Sequence, residues 1–464
     1  MTRALIVTHR RSLEAKYGAA AVQKHIAPAL AAYAKAVEQR GFPVTVEWLD
    51  GLKQATPAAT QRAIRARAKG AYYLTLIGAP DVIPHHELDN PVQGDIDDTI
   101  PTDLVYACDR AAGRGVKAFL HPVRAVGRIP DIRGERQPGA LVEALRAAAQ
   151  HRPGRLAEQL PPLALAAPSF ASSVGTILEQ TFHRDYPVLT VPSAKVSAAQ
   201  LKRRVQLVKC HGDDAQPYFS GGDGAGGPIA LDSGAVSKSV LRGTVVACGS
   251  CYGAELYDPL GSSTAPGSLP IANAYLAAGA AGYYGSTGIA WVGEKTLEGP
   301  DILLRNVLVA LSRGASLGDA LLTAQRGFLR TAGSLDALEL KSYAQLILLG
   351  DPTATPFGSG KGAPVADDPE HLRERKETQH RAVARTLSVA QPQKRPKKLP
   401  KVVALALPKG TRHSYEHQPA ARTKSTTVER THVVLGGKGA GRKVVHVVRE
   451  RDGEVVSRKR LRRS

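Results

Sequence analysis

Two side chains that could together break an amide bond stand at the ends of two apolar runs. Val205 to Val208 leads into Cys210-His211-Gly212, and Thr244 to Ala247 leads into Cys248-Gly249. Each run is short and β-branched, the pattern of a buried strand. If the strands are parallel neighbours, the imidazole of His211 and the thiol of Cys248, 37 residues apart, leave the sheet at one carboxyl edge. That edge is where open α/β sheets hold their ligands. An imidazole beside a thiol lets a thiolate form near neutral pH, the minimum apparatus for covalent acyl transfer.

The same residues admit blander roles. A cysteine at a strand end is often an inert core thiol. Cys248-Gly-Ser-Cys251 beside Cys210-His211 superficially offers zinc ligands. A structural zinc takes two such close pairs, however, and adjacent strand residues seldom turn to one ion, so no metal and no cofactor is expected. A Cys248–Cys251 disulfide would act as a redox off-switch. The preferred reading leaves Cys210 and Cys251 structural; alternation along the strand turns Cys210 away from His211.

The elements that must position the pair are βαβ units. Ala4 to Thr8, Val44 to Leu49 and Tyr72 to Ile77 read as strands, separated by helices over Tyr17 to Arg40 and Thr56 to Lys69. A loop-rich stretch, 79–129, ends in a strand over Ala125 to Ile129, and a helix covers Gly139 to His151. The pattern then restarts with strands over Leu163 to Ala167 and Val188 to Val191 around a helix over Val174 to Thr181. Ala198 to Arg204 begins a helix that leads into the His211 strand. Beyond Cys248 come a helix over Leu269 to Gly279, a strand over Ala281 to Tyr284, helices over Asp301 to Arg313 and Ser316 to Leu329, and a last strand over Leu346 to Leu349. Such alternation predicts a mainly parallel sheet covered by helices on both faces.

Composition separates the body from the tail. The chain has 464 residues and a net charge of +21, of which +16 lies in residues 361–464, with 26 Lys and Arg against 10 Asp and Glu. The body is an ordinary globular domain of modest charge. Four cysteines without the spacing of a secreted scaffold predict a reducing, cytoplasmic location. The opening apolar stretch, about five residues, is too short for a signal-peptide core. The longest uncharged run, between Asp258 and Glu294, is broken by prolines and glycines, so no transmembrane segment is expected.

Two blocks in this order, an apolar strand before His-Gly (VQLVKCHG) and an apolar strand before Ala-Cys (GTVVAC), resemble the gingipain-type cysteine peptidases. These belong to the caspase-like group with legumain, clostripain, separase and the caspases. LTLIGAPDVIP, IPTDLVYACDR, AVGRIPD and LILLGDPTATP resemble flanking segments of that type, and GAAGYYGSTGIAW resembles one wall of its specificity pocket. The resemblance covers roughly residues 3–357. It implies a caspase-like three-layer αβα fold of two adjoining subdomains, 1–155 and a catalytic 156–358. It also implies a cysteine endopeptidase acting on protein or peptide substrates. Cys248 would be the nucleophile, His211 the general base and acid, and the N–H groups of Gly212 and Cys248 the oxyanion hole. Ser286, Thr287 and Trp291 would line the substrate pocket, and Asp213 is a candidate acid for a basic residue before the scissile bond, with Asp214 and Asp223 as alternatives. One departure stands out. The strand end that would carry a histidine-orienting acid reads APSFASSV and has none. The acidic run Asp95 to Asp98 is read as a solvated loop, with calcium binding as the alternative.

The tail divides into a basic linker, 359–400, and a small basic β-rich or disordered module, 401–464. Strands are expected over Val402 to Leu407, His432 to Leu435, Val444 to Val448 and Val455 to Val456, with Asp452-Gly453 as a hairpin signal. Its charge suits nucleic acid or an acidic protein, and its near lack of aromatic residues argues against base stacking. These features supply the competing function, a non-catalytic caspase-like scaffold whose tail binds such a partner. A self-cleaved tail is a further reading, because the segment offers many Lys and Arg sites.

Overall fold

The computed structural model describes residues 2–358 apart from 192–195, 223–226, 262–264, 294–296 and 333–334. In the tail it describes strands at 413–417, 421–422, 428–436, 444–451 and 454–463. The linker, the Val402 to Leu407 strand and the Asp452-Gly453 turn lie outside the described residues, as does Asp223.

The expected strands assemble into one sheet of ten. They are β1 (Arg3–Val7), β2 (Val44–Glu47), β3 (Ala71–Ile77), β4 (Ala125–Ile129), β5 (Leu163–Ala166), β6 (Leu189–Thr190), β7 (Val205–Lys209), β8 (Val245–Cys248), β9 (Gly282–Ser286) and β10 (Leu346–Gly350). The spatial order is β2-β1-β3-β4-β10-β9-β8-β7-β5-β6. The last of these ten in sequence, β10, therefore sits at the centre. It runs antiparallel to β9 and parallel to β4, and it joins the two βαβ halves. Every other neighbouring pair is parallel.

The core follows this seam. Helices Ala171–Phe182, Pro300–Ser312, Leu317–Ala332 and Ala337–Gln345 share one continuous apolar cluster with the inner residues of β5, β7, β8, β9 and β10. Helix Ile271–Ala277 and helix Ser233–Ser239 cover the opposite face of the second half. A third cluster wraps β1, β3 and β4 with helices Ala27–Gln39 and Gly139–Ala149. The expected helix over Tyr17 to Arg40 runs from Ala19 to Gln39 with a π-helical segment over Val22–Ile26, and a separate helix precedes it. Helix Arg10–Tyr17 ends at Gly18, whose φ of +83° lies in the left-handed region where glycine needs no Cβ accommodated, and the chain restarts as a helix at Ala19. Among the described residues no helix is long and apolar enough to cross a membrane.

Candidate active site

β7 and β8 are parallel neighbours, with Cys248 opposite Val208. Register then decides which side chains share a face. Val208, Cys210, Val246 and Cys248 pack with Tyr275 and Tyr283 on one face. Val205, Leu207, Val245 and Ala247 pack on the other, together with Phe170. Lys209 belongs to the second face, its Nζ lying 5.1 Å from the centre of the Phe170 ring. Two residues on, the His211 ring meets the same phenyl with centroids 5.0 Å apart. His211 and Cys248 thus leave their strands at one edge but turn to opposite faces.

Cys248 is fully buried. Its Sγ lies against Gly253, where an added Cβ would come within 2.7 Å of it. Burial pushes its thiol pKa up, and the neighbouring Tyr283 and Ser250 offset this only in part. Cys251 is equally buried, so burial by itself does not separate the two thiols.

Cys251, three residues on, lies in the turn beyond β8, where its backbone meets the histidine loop. Gly212 lies directly on its backbone: a Cβ on Gly212 would fall 1.9 Å from the Cys251 carbonyl oxygen, 2.9 Å from its carbon and 3.4 Å from its nitrogen. No residue but glycine fits there. The Cys251 thiol packs among Ile289, Ala290, Trp291 and Leu338. Its sulfur accepts the Ala290 N–H at 3.3 Å. The turn that makes this placement is held by the Ser250 hydroxyl, which accepts the Cys210 N–H at 3.0 Å, and by the Gly253 N–H bonded to the Ser250 carbonyl.

Of the expected wall residues, Trp291 packs in the same cluster as this second thiol. Ser286 ends β9, and the Thr287 hydroxyl donates to the Pro101 carbonyl at 2.6 Å. Trp291 opens the short wall strand Trp291–Gly293, and its indole N–H donates to the Asp95 carboxylate at 2.7 Å. Two carboxylates of the acidic run, Asp95 and Asp97, therefore form an inward-facing clasp, while Ile96 and Asp98 stay exposed. Lys341 bridges Asp95 at 2.7 Å and Asp97 at 2.6 Å, and the side chains of Lys341 and Asp95 are 1% and 0% exposed. Asp97 also accepts the Ile289 N–H at 2.8 Å and the Tyr252 hydroxyl at 2.6 Å, so one carboxylate ties the wall to the cysteine turn. Burial alone would raise the Asp97 carboxyl; Lys341, the Tyr252 hydroxyl and the Ile289 N–H together outweigh it and hold the group below the usual range. Among the described residues no group of three or more His, Cys, Asp and Glu is arranged to hold a metal.

Asp213 and Asp214 are exposed on the loop after His211. Beneath them Glu255 accepts the Ala215 N–H at 2.9 Å, so it spans the histidine and cysteine loops. Burial and a hydrogen bond with Asp214 push its carboxyl up to about 8. Glu255 carries no periodic or motif signal, and its role emerges only when the two loops meet. The acid-free strand end is filled by Phe170. Behind that ring, Lys209 and Asp301 form a fully buried pair at 2.6 Å, and Lys209 also donates to the Ser173 hydroxyl at 2.7 Å.

No family model matches the chain, and no curated protein matches it in sequence. Solved structures match it in shape. One, described as a protease, is 13% identical, with a TM-score of 0.51 over 99% of this chain and 97% of the other. Another, the Arg-specific cysteine proteinase gingipain R, is 12% identical, with a TM-score of 0.51 over 100% of this chain and 91% of the other. The mostly parallel sheet, its two helical layers and this shared shape give the chain the caspase-like α/β fold.

Proposed function

We propose that this chain is a cysteine endopeptidase working through an acyl-enzyme, with His211 as its proton carrier. The observation that carries the reading is the contact between Gly212 and the backbone of Cys251. It sets a histidine loop and a thiol loop side by side at the carboxyl edge of β7 and β8, inside a fold shared with a cysteine proteinase. The Ala-Cys block points to Cys248 as the nucleophile. The faces of the sheet favour Cys251, and we assign the role there. In this scheme the Cys251 sulfur attacks the peptide carbonyl, and its proton passes by way of His211 to the leaving amine. Water then releases the acyl group with His211 as base. The N–H groups of Gly212 and Cys251, in place of Gly212 and Cys248, take the oxyanion.

A basic residue before the scissile bond suits the charges at the mouth. Asp213 and Asp214 are exposed there, and Glu255 is a buried carboxyl that an arriving cation would ionise. Ser286, Thr287 and Trp291 supply the wall.

The test compares wild type with Cys248→Ala and Cys251→Ala on fluorogenic peptides, together with alkylation of each thiol read by mass spectrometry. Turnover lost only in Cys251→Ala supports the assignment. Turnover lost only in Cys248→Ala returns the nucleophile to Cys248. No turnover in wild type, with neither thiol more reactive than Cys108, leaves the scaffold reading with its basic tail as the binding element.

A further inference from the structure

The wall strand Trp291–Gly293 has a partner from the far end of the chain. The C-terminal strand, Glu454–Arg463, pairs with it antiparallel: Trp291 faces Arg463, Val292 faces Arg462, and Gly293 faces Leu461. On its other edge the same strand pairs with Val444–Arg451, which pairs with Val428–Gly436. Among the described residues the tail strands thus join the body at this β-edge, which borders the candidate site. Ala290, the residue before the wall strand, gives its N–H to the Cys251 sulfur. Neighbouring strands lie about 4.8 Å apart, so whatever pairs with Trp291–Gly293 runs one strand spacing from the segment whose N–H bonds that thiol.

We propose that the wall strand is a docking edge for an extended basic peptide, and that the C-terminal strand is its resident occupant. Direction supports this. The antiparallel sense brings the C-terminal end of the occupant, Leu461-Arg462-Arg463, to the end of the wall strand nearest Cys251. In acyl transfer the attacked carbonyl closes the N-terminal half of the substrate. A strand arriving at the thiol by its C-terminal end therefore lies in the sense of an acyl donor or a product. Backbone pairing of this kind gives affinity with little sequence demand, and side chains at alternate positions supply the selectivity. The occupant reads SRKRLRR, and the carboxylates beside the site are Asp213, Asp214 and Glu255. Because the occupant is tethered, its high effective concentration keeps competing peptides off the edge. That this occupancy restrains catalysis rests on the peptidase reading; the occupancy itself does not.

The experiment uses the full-length chain. Along an antiparallel ladder, alternate residues turn their N–H groups to opposite neighbours. Arg462→Pro and the double variant Leu461→Pro/Arg463→Pro therefore remove, between them, the N–H groups given to the wall strand. Hydrogen exchange at residues 291–293 and the iodoacetamide rate at Cys251 are read in both, with thermal unfolding as the check that the body remains folded. At least one variant should lose protection at 291–293 and speed Cys251 alkylation about tenfold, the factor that two lost ladder bonds correspond to. A synthetic peptide of residues 454–464 added in trans should reverse both effects. Fast exchange at 291–293 in wild type, or unchanged exchange and alkylation in both variants, would overturn the proposal. If exchange and alkylation respond while no peptide is ever hydrolysed, the docking edge stands and the peptidase reading fails.

Discussion

Two glycine substitutions separate the candidate nucleophiles. In Gly212→Ala the new Cβ would fall 1.9 Å from the Cys251 carbonyl oxygen. Both sides of that contact are backbone, so no rotamer relieves it. The loops must part by about 1.5 Å to reach an ordinary carbon–oxygen contact of about 3.4 Å. Overpacking of this kind costs roughly 1–3 kcal/mol of stability. A displacement of about 1 Å between reacting groups costs on the order of 100-fold in rate. Gly253→Ala is the matched control. Its Cβ would fall 2.7 Å from the Cys248 sulfur, on the other face of the sheet, at a similar cost in stability. If Cys251 is the nucleophile, kcat/KM for a basic fluorogenic peptide falls about 100-fold or more in Gly212→Ala and by less than about 10-fold in Gly253→Ala. Stability comes from urea unfolding of the same preparations, so that a rate loss is not mistaken for unfolding. Wild-type kcat/KM in Gly212→Ala would refute the reasoning, and a collapse confined to Gly253→Ala would move the nucleophile to Cys248.

Lys341→Met leaves the buried Asp95 carboxylate without its cation and should cost about 3–5 kcal/mol in denaturant unfolding, far more than a surface lysine. Asp301→Asn strands Lys209 in the same way and should destabilise by a similar amount, while the double change Lys209→Met/Asp301→Leu recovers most of the loss. Glu255 gives a pH signature. Its folded pKa, about 8, lies above the ordinary 4.5, so the folded state holds the extra proton between those values. The contribution is fully present below about pH 4.5 and is lost as pH rises through about 8, with a slope of at most about 1.4 kcal/mol per pH unit. Unfolding free energies from pH 5 to 9 should show this decline in wild type and lose it in Glu255→Gln. Asp213→Asn should raise KM for a peptide with Arg before the scissile bond more than for one with Leu there, which steady-state kinetics would resolve.

Much of the architecture was legible from local pattern. Short apolar runs between helical stretches mark strands without knowledge of the neighbours, and all ten sheet strands overlap such runs. Val205–Lys209 before His-Gly and Val245–Cys248 before the turn are examples. The central place of β10, a strand from the far end of the body, depends on long-range pairing that no local pattern encodes. The hairpin of His86–Asp89 with Thr99–Thr102 lay in what read as loop, because its strands are short and interrupted by proline and acids.

At the site, the sequence by itself determined the residue types and the edge: an imidazole and thiols closing two adjacent strands, with glycine beside them. Only the tertiary structure decided that His211 and Cys248 turn to opposite faces. Side chains alternate along a strand, so a pair separated by an odd offset across the ladder is split between faces, and that offset exists only once Cys248 is set opposite Val208. The same holds for Asp95 and Asp97. By composition they are a solvated acidic run, but they become a buried clasp because Lys341 and Trp291 reach them from more than 190 residues away. Charge shows in composition, whereas its burial depends on what the rest of the chain brings to it, and that is set by packing over long separations.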